Sequence, residues 1–277
     1  MNRNLTCLLA GSLCWLGFMP IAKAEDTLSK IQRTGVLRVA IREDAAPFGF
    51  VNSNGKLQGY CLDFFALLES KLTKELERNT LSLKLFKSTP GSRFSLVANN
   101  IIDLECGPNT IREDAPAGTS FSTGYFVTGT QFLVRKDNKL NPNASLDGAV
   151  LGTIANTTTA KYVRERYPNA IVRGYGGITA RNRGIQAVAQ GKIDAMISDG
   201  ILLRAEAQRQ ELSSVEYPLV PTVPLTCDRY GMIIQTEDSE WQEFINSVIE
   251  SPEAQTLSKA WFGNLFNYVL PAKDFCR

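Results

Sequence analysis

The chain has 277 residues, with 30 lysines and arginines against 28 aspartates and glutamates and no histidine. This nearly even charge balance argues against binding of nucleic acid or of an anionic membrane through bulk charge. The length allows one large domain or two lobes, and a chain without histidine or a Cys-x-x-Cys pair gives no reason to expect a metal site.

Residues 1–24 have the pattern of a secretory signal peptide. Arg3 lies in a positive first segment, residues 5–18 are mostly apolar, and residues 22–24 (AKA) form a small-residue cleavage motif. The apolar stretch is shorter than the roughly 18 residues of a membrane-spanning helix. We therefore expect cleavage before Glu25, which leaves an exported chain of about 253 residues with a net charge near zero.

The cysteine count points to disulfides. Two of the six cysteines lie in the signal segment, and four remain in the exported chain: Cys61, Cys106, Cys227 and Cys276. An even number in an exported chain favours two disulfides. Four cysteines allow three pairings, and their spacing alone does not choose among them.

The first half of the exported chain alternates predicted strands with predicted helices. Residues 36–41 (VLRVAI) are short and apolar, as in a buried strand, and residues 62–76 have helical apolar spacing. Residues 81–86 alternate like a strand, residues 94–98 indicate a short helix, and residues 101–106 (IIDLEC) again indicate a strand. Such alternation predicts a parallel α/β sheet.

The second half repeats this arrangement. Strands are predicted over residues 149–154, 170–175 and 192–199, and helices over residues 157–167 and 180–190. The segments VANNIIDLECG and VAQGKIDAMIS share one order, a helix end, a turn, Ile-Asp and a strand. Helical spacing returns in WQEFINSVIE and LSKAWFGNLF near the end. We therefore predict two α/β lobes of similar plan.

The chain is predicted to cross between the lobes twice, near residues 124–129 and again near 226–231. The first lobe then comprises residues 25–127 and 229–277, and the second comprises residues 128–228. Two lobes joined by two crossings predict a hinge and a cleft. In open α/β sheets, ligands bind beyond the carboxyl ends of strands. Four segments of this chain follow predicted strands: Arg42, residues 108–112, residues 157–159 and Asp199.

Several segments, in order and spacing, resemble the family 3 extracellular solute-binding proteins, the polar-amino-acid receptors of ABC importers. TGVLRVAIREDAAPFGFVNSNGKLQGYCLDFFALL resembles the family's opening strand, Pro-Phe turn and Gly-x-x-x-Asp helix, and FSTGYFVTGTQFLVRK resembles its first crossing. GKIDAMISDGILL and SKAWFG resemble its second-lobe strand and terminal helix. The resemblance covers nearly the whole exported chain. It implies a two-lobed α/β fold of the periplasmic-binding-protein type II class and a periplasmic location.

Within the family, IREDAAPF, SRFSLV and DLECG are most similar to the glutamate/aspartate-binding branch. Animal glutamate-receptor ligand-binding cores resemble the same fold. In those cores a cysteine just before the returning strand bonds one at the C-terminal end, and Cys227 and Cys276 match these two places. The resemblance thus implies the disulfides Cys227–Cys276 and Cys61–Cys106.

The resemblance also implies roles for residues of the cleft. Arg42 matches the arginine that binds the ligand's side-chain carboxylate, and Arg93 matches a second arginine of the acidic branch. Thr157 matches the helix start that holds the α-carboxylate, and Asp199 matches the aspartate that binds the α-ammonium. These residue types suit their roles, because guanidinium groups pair bidentately with carboxylates and helix N-termini attract anions.

Each of these four residues also has a structural explanation that needs no ligand. Arg42 could pair with Glu43 or Asp44. Arg93 could be a solvated charge at a helix start. Thr157 and Asp199 could serve only as helix caps.

The segment after IIDLEC departs from the family pattern. Thr110 matches a threonine that the family follows, five residues later, with the arginine that binds the α-carboxylate, and here that place is Ala115. Arg112 stands three residues early. Either a shortened helix lets Arg112 reach the ligand, or the clamp is absent. In the second case Arg93 or the Thr157 helix end holds the carboxylate, or the ligand is not an ordinary α-amino acid. A third explanation is that Arg112 only pairs with its acidic neighbours.

Two classes of function fit these features. In the first, which we favour, the protein is a monomer without cofactor or catalysis. It closes on a polar amino acid, which we expect to be acidic, and presents it to an ABC permease in the inner membrane. In the second, it is a periplasmic dehydratase on the same fold, which would need a general acid or base such as Glu105. The sequence has no G-x-S-x-G, H-E-x-x-H or P-loop motif. A ligand-sensing subunit of a membrane receptor is a third possibility.

Overall fold

The computed structural model of the protein describes residues 25–263. Eight helices lie within them: α1 (Thr27–Thr34), α2 (Tyr60–Glu75), α3 (Arg93–Ala98), α4 (Thr158–Arg166), α5 (Ala180–Ala189), α6 (Gly200–Arg209), α7 (Ser239–Glu250) and α8 (Pro252–Phe262). Fifteen strands lie in the same range: β1 (Val36–Arg42), β2 (Asp44–Ala45), β3 (Gly49–Val51), β4 (Leu57–Gln58), β5 (Ser82–Ser88), β6 (Leu104–Cys106), β7 (Thr119–Phe121), β8 (Phe126–Thr128), β9 (Thr130–Val134), β10 (Val150–Ile154), β11 (Ile171–Tyr175), β12 (Ala195–Asp199), β13 (Leu219–Val220), β14 (Asp228–Tyr230) and β15 (Ile233–Gln235). None of the helices in residues 25–263 is long and apolar enough to cross a membrane.

Two five-stranded sheets define the two lobes. The first lobe contains the sheet β5-β1-β6-β15-β7, and the second contains the sheet β11-β10-β12-β9-β13. In each sheet the three strands predicted from the sequence run parallel, β5-β1-β6 in one and β11-β10-β12 in the other. The periodicity of the sequence therefore gave the right plan for both lobes.

Each sheet also contains one antiparallel strand that the alternating pattern did not predict. β15 runs antiparallel to β6 and β7, and β9 runs antiparallel to β12 and β13. Both strands directly follow a crossing, so the chain enters each sheet from the hinge side and in the opposite direction. Because both antiparallel strands arise from the same cause, the two lobes keep their similar plan.

The two crossings are confirmed and form a hinge of paired strands. β8 and β14 pair antiparallel, with Asp228 opposite Thr128 and Tyr230 opposite Phe126. Gly129 follows β8 at a point where its backbone lies close to that of Thr226. A side chain does not fit there, because a Cβ would lie 1.9 Å from the carbonyl oxygen of Thr226. The residue bounds of the lobes remain a prediction.

The disulfide Cys61–Cys106 is present, with an S–S distance of 2.02 Å, and both side chains are fully buried. It ties the start of α2 to the end of β6, directly before the loop that carries Thr110. Cys227 is also disulfide-bonded. Its predicted partner, Cys276, lies outside the described residues, so that pairing remains a prediction.

The strand predicted over residues 101–106 is shorter than expected. β6 covers only Leu104–Cys106, because the chain still turns at Asn100, which has a positive φ of 54°. The carboxylate of Asp103 then accepts the backbone N–H of Arg38 on β1, at 2.8 Å, in place of a carbonyl. The side chain of Asp103 is fully buried and also pairs with Lys30 and Arg38.

Candidate functional site

A narrow cavity of about 30 Å³ lies between the two lobes, and we call it the interlobe cavity. All six ligand-binding residues predicted from the sequence line it: Arg42, Arg93, Thr110, Arg112, Thr157 and Asp199. The other lining residues are Pro108, Thr158, Thr159, Arg181, Ser198 and Leu202. They meet here because β1, β6, β10 and β12 all end at this edge of their sheets, as parallel α/β topology requires.

Arg42 is the last residue of β1 and forms a buried ion pair with Asp44. Its Nε and Nη2 atoms each lie 2.7 Å from a carboxylate oxygen of Asp44. Burial alone raises the pKa of Asp44, but the charge and hydrogen bonds of Arg42 outweigh it and hold that pKa below its ordinary value. The structural explanation of Arg42, pairing with Asp44, is thus present, and this ion pair fixes Arg42 on the cavity wall.

Arg93 begins α3, is buried, and has unused hydrogen-bonding capacity. Its Nη1 donates to the carbonyl oxygen of Pro90, while its Nε has no hydrogen-bond partner among the described residues. Burial lowers the pKa of Arg93 to about 10, although the nearby carboxyl of Glu105 acts in the opposite direction. A buried guanidinium with a free donor is costly alone and stabilised by an anion.

Arg112 lines the cavity with a partly exposed side chain. Its guanidinium carbon is 4.8 Å from the centroid of the Phe94 ring, and its Nε is 3.1 Å from Oδ1 of Asp114. Arg112 therefore pairs with an acidic neighbour and also lines the cavity. Ala115, like Phe94, packs instead against a buried apolar cluster that includes Val97 and Phe121.

The start of α4 faces the cavity through its threonines. Thr157 is the N-cap, as predicted: its Oγ1 accepts the N–H of Ala160 at 3.1 Å and donates to the carbonyl of Ile154 at 2.8 Å. Thr158 contacts the first lobe, with its Oγ1 lying 3.4 Å from Oγ1 of Thr110. Free N–H groups of the first turn make this end attractive to an anion.

Asp199 occupies the N-cap position of α6, but its side chain makes no capping bond. Its Oδ1 accepts the hydroxyl of Thr159 at 3.2 Å, and its Oδ2 accepts the hydroxyl of Tyr230 from the hinge strand β14. Burial raises the pKa of Asp199, and these hydrogen bonds act against that rise. The purely capping explanation of Asp199 is therefore wrong, because other groups hold its carboxylate at the cavity.

Sequence reasoning missed Arg181, a fully buried arginine of α5 that lines the cavity. Its Nη1 donates to the backbone oxygen of Asp44 in the first lobe, and its Nε has no partner among the described residues. Burial lowers its pKa, with Asp44 acting in the opposite direction. Arg181, Gly184, Ile185 and Val188 are buried at helical spacing, so an arginine on an apolar helix face was the available signal.

A second carboxylate, missed as well, lies beside Asp199. Asp228 on β14 is buried, and its Oδ2 accepts the hydroxyl of Thr226 at 2.5 Å. Burial, together with the negative charge of Asp199, raises the pKa of Asp228 to about 7. The cavity lining therefore contains one carboxylate, Asp199, and four arginines, Arg42, Arg93, Arg112 and Arg181. These charges complement a ligand with carboxylate groups and one ammonium group.

The comparisons with known proteins give the same family as the sequence motifs. Residues 37–264 match the sequence model of the bacterial extracellular solute-binding proteins, family 3. The chain belongs to this family. Within residues 25–263, no group of three or more cysteine, aspartate or glutamate side chains could hold a metal ion.

Named relatives of this family 3 protein bind several amino acids. The glutamate/aspartate import solute-binding protein of Salmonella typhimurium is 26% identical over 92% of this chain and 86% of its own length. The glutamine-binding protein of Geobacillus stearothermophilus is 30% identical over 66% of this chain and 68% of its own length.

Solved structures share the fold. The arginine-bound form of truncated ArgBP from T. maritima has a TM-score of 0.67 and 25% identity over 79% of this chain and 97% of that one. An ancestral amino acid-binding protein, a precursor of cyclohexadienyl dehydratase, has a TM-score of 0.72 and covers 87% of this chain and 100% of its own. At 21% identity, the second match shows the fold alone.

Proposed function

We propose that this family 3 protein is the periplasmic, monomeric substrate-binding component of an ABC importer and that it captures an acidic amino acid by hinge closure. The observation that carries the proposal is the convergence of six predicted binding residues, from both lobes, on one cavity beside the hinge. A ligand that contacts both lobes favours the closed state by its differential affinity for that state. The permease would then recognise the closed protein.

The charges of the cavity favour a ligand with two carboxylates. Arg93 and Arg181 are buried and each has an Nε without a partner among the described residues. In the proposed complex, these two and Arg112 bind carboxylates, while Arg42 stays fixed by Asp44 and presents its remaining donor. The N-terminus of α4 adds N–H donors, and Asp199 binds the ammonium.

The acid or base expected for an enzymatic function, Glu105, is poorly placed for catalysis. Glu105, the residue that a dehydratase would need, does not line the interlobe cavity and is fully buried. Its oxygens accept the Ser88 hydroxyl at 2.6 Å and the Asn109 amide at 2.5 Å. Although burial raises the pKa of Glu105, these contacts tie the carboxyl into the first lobe. We therefore propose binding without catalysis.

Calorimetric titration of the refolded, ligand-free mature protein tests the proposal. The panel comprises glutamate, aspartate, glutamine, arginine and two simple dicarboxylates. We expect tight binding of glutamate or aspartate, weakened about 10-fold to 100-fold by Arg42→Ala or Arg112→Ala, because each charge-assisted hydrogen bond contributes about 1.5–3 kcal/mol. Arg183→Ala, an exposed arginine outside the cavity, is the control.

The outcomes separate the possibilities for Arg112. Loss of affinity in Arg112→Ala means that the carboxylate clamp survives with its arginine moved. If Arg112→Ala leaves the affinity for glutamate unchanged, the α-carboxylate is assigned to Arg93 or to the Thr157 helix end. No heat with any amino acid would contradict the proposed ligand class, and turnover of prephenate or arogenate would contradict the proposal of binding without catalysis.

A further inference from the structure

A further contact between the lobes lies outside the interlobe cavity and is made by Arg209, the last residue of α6. Its Nη2 donates to the carbonyl oxygen of Val51 at 2.7 Å, and its guanidinium carbon lies 4.9 Å from the centroid of the Phe50 ring. Both partners belong to β3 of the first lobe. Arg209 is seven residues beyond Leu202, the last lining residue on α6, or about 10 Å along the helix.

The second lobe holds Arg209 ready for this contact. Its Nη1 lies 3.0 Å from Oε2 of Glu206, one turn earlier on the same helix. Glu206 is itself buried, and its other oxygen accepts the amides of Asn182 and Gln210 at 3.1 Å each. This network lies wholly within the second lobe, so it persists when the lobes separate. Only the contacts to Val51 and Phe50 depend on closure.

The first lobe supports the receiving side. The Phe50 ring meets Trp261 of α8 edge to face, with centroids 6.5 Å apart. The indole N–H of Trp261 donates to Asp63 of α2 at 2.8 Å. β3 also pairs with β2, the strand that carries Asp44. The cation of Arg209 therefore rests on an aromatic side chain that two helices and a sheet hold in position.

We propose that Arg209, with Phe50 and Val51, forms an interlobe latch that sets the affinity for every ligand by one common factor. The inference rests on the proposed function, since it concerns the same closure. A contact made only in the closed state raises the closed fraction, and the apparent dissociation constant is inversely proportional to that fraction. Arg209 contacts no ligand, so it changes affinity without changing selectivity.

The latch predicts a uniform loss of affinity. In Arg209→Ala, the dissociation constants for glutamate and for glutamine should rise by the same factor, about 3-fold to 10-fold, as expected for one partly exposed cation–π contact with one hydrogen bond. The loss of affinity should arise from a higher dissociation rate in the variant than in the wild type. Arg183→Ala is the matched control and should leave affinity unchanged, because Arg183 contacts Gly176 and Tyr175 of its own lobe.

Two further variants distinguish a latch from general damage. Arg209→Lys keeps the charge but not the planar guanidinium, and should recover part of the lost affinity. In a Phe50→Leu background, Arg209→Ala should lower the affinity less than it does in the wild type, because the ring contact is already absent. Equal cost in both backgrounds, or a loss that differs between glutamate and glutamine, would overturn the latch.

A measurement without ligand separates failure of the latch from failure of the proposed function. Nitroxide labels at Lys84→Cys and Ile171→Cys, exposed positions on the two outer strands, report the distance between the lobes. The fraction of molecules with the shorter distance of the closed state should fall in Arg209→Ala. It should stay at the wild-type value in Arg183→Ala. Identical distances in the wild type and Arg209→Ala would overturn the latch. A shifted distance with no binding of any amino acid would leave the latch standing and contradict the ligand class.

Discussion

The hydroxyl of Tyr230, on the second hinge strand, donates a hydrogen bond to Oδ2 of Asp199, at the end of the second-lobe strand β12. Both side chains are buried. This bond connects the hinge to the residue proposed to bind the ligand's ammonium group. A substitution at Tyr230 should therefore change the ligand affinity by changing the protonation of Asp199.

Tyr230→Phe should weaken amino acid binding about 10-fold at neutral pH, because a buried carboxylate loses a donor that stabilises its charge. In its proposed role Asp199 must be ionised, because only a charged carboxylate pairs with an ammonium group. Burial has already raised its pKa, so affinity falls as pH decreases through that pKa. Without the Tyr230 donor the pKa rises further, and the fall in affinity begins at a higher pH.

Titrations at several pH values between 5 and 8 check this prediction, with Tyr217→Phe as a control in the second lobe. Equal pH profiles for Tyr230→Phe and the wild type would show that Asp199 does not depend on the hinge hydroxyl.

Arg181→Met should lower the affinity for glutamate more than the affinity for glutamine. Both ligands lose the closure contact of Arg181 with the backbone of Asp44, but only glutamate loses a charge partner for its side-chain carboxylate. We expect the glutamate-to-glutamine affinity ratio to fall about 10-fold, the value of one charge-assisted hydrogen bond. Competition titrations measure this ratio, and Arg183→Met on the same helix is the control. An unchanged ratio would restrict Arg181 to a structural role.

The sequence predicted the parts of the fold that follow from local periodicity. The strands β1, β5, β10 and β11 and the helices α2, α4 and α5 lie within one or two residues of their predicted bounds. The six candidate residues met in one cavity because strand ends converge in parallel sheets. Thr157 could be identified as a cap because the residue type and its position before a helix suffice for that inference.

The parts that the sequence did not predict depend on tertiary contacts. The strands β2 and β4 have two residues each, too few for a periodic pattern. Tyr230 faces Asp199 only through the pairing of β14 with β8, and nothing in the local sequence gives that register. Arg181 stands out in the sequence as an arginine on an apolar helix face, but its contact with Asp44 of the other lobe is tertiary and could not be read from the sequence.

Asp228→Asn should stabilise the protein at pH 8 by about 2 kcal/mol. The pKa of Asp228 is about 7 in the folded protein because of burial and the charge of Asp199, so between pH 4 and 7 the folded state holds a proton that the unfolded state has released. The stability of the wild type therefore falls as pH rises through this range. Asparagine removes the cost of the buried charge and can still accept the Thr226 hydroxyl.

Urea unfolding at pH 4.5 and pH 8 measures this difference. The exposed Asp137→Asn should leave the pH dependence of stability unchanged. A variant that is less stable than the wild type at pH 8 would show that the ionised Asp228 carboxylate supports the hinge.

Loss of the disulfide Cys61–Cys106 should lower the free energy of unfolding by about 4 kcal/mol. The two cysteines are 45 residues apart in sequence, and closing a loop of that length removes about this much conformational freedom from the unfolded chain. Cys61→Ala with Cys106→Ala avoids a buried free thiol. Because the bond lies between α2 and the end of β6, before Thr110, ligand affinity should fall less than stability does. Urea unfolding and calorimetric titration of the double variant check both statements. Unchanged stability would mean that the packing of these two fully buried positions already fixes α2 on the sheet.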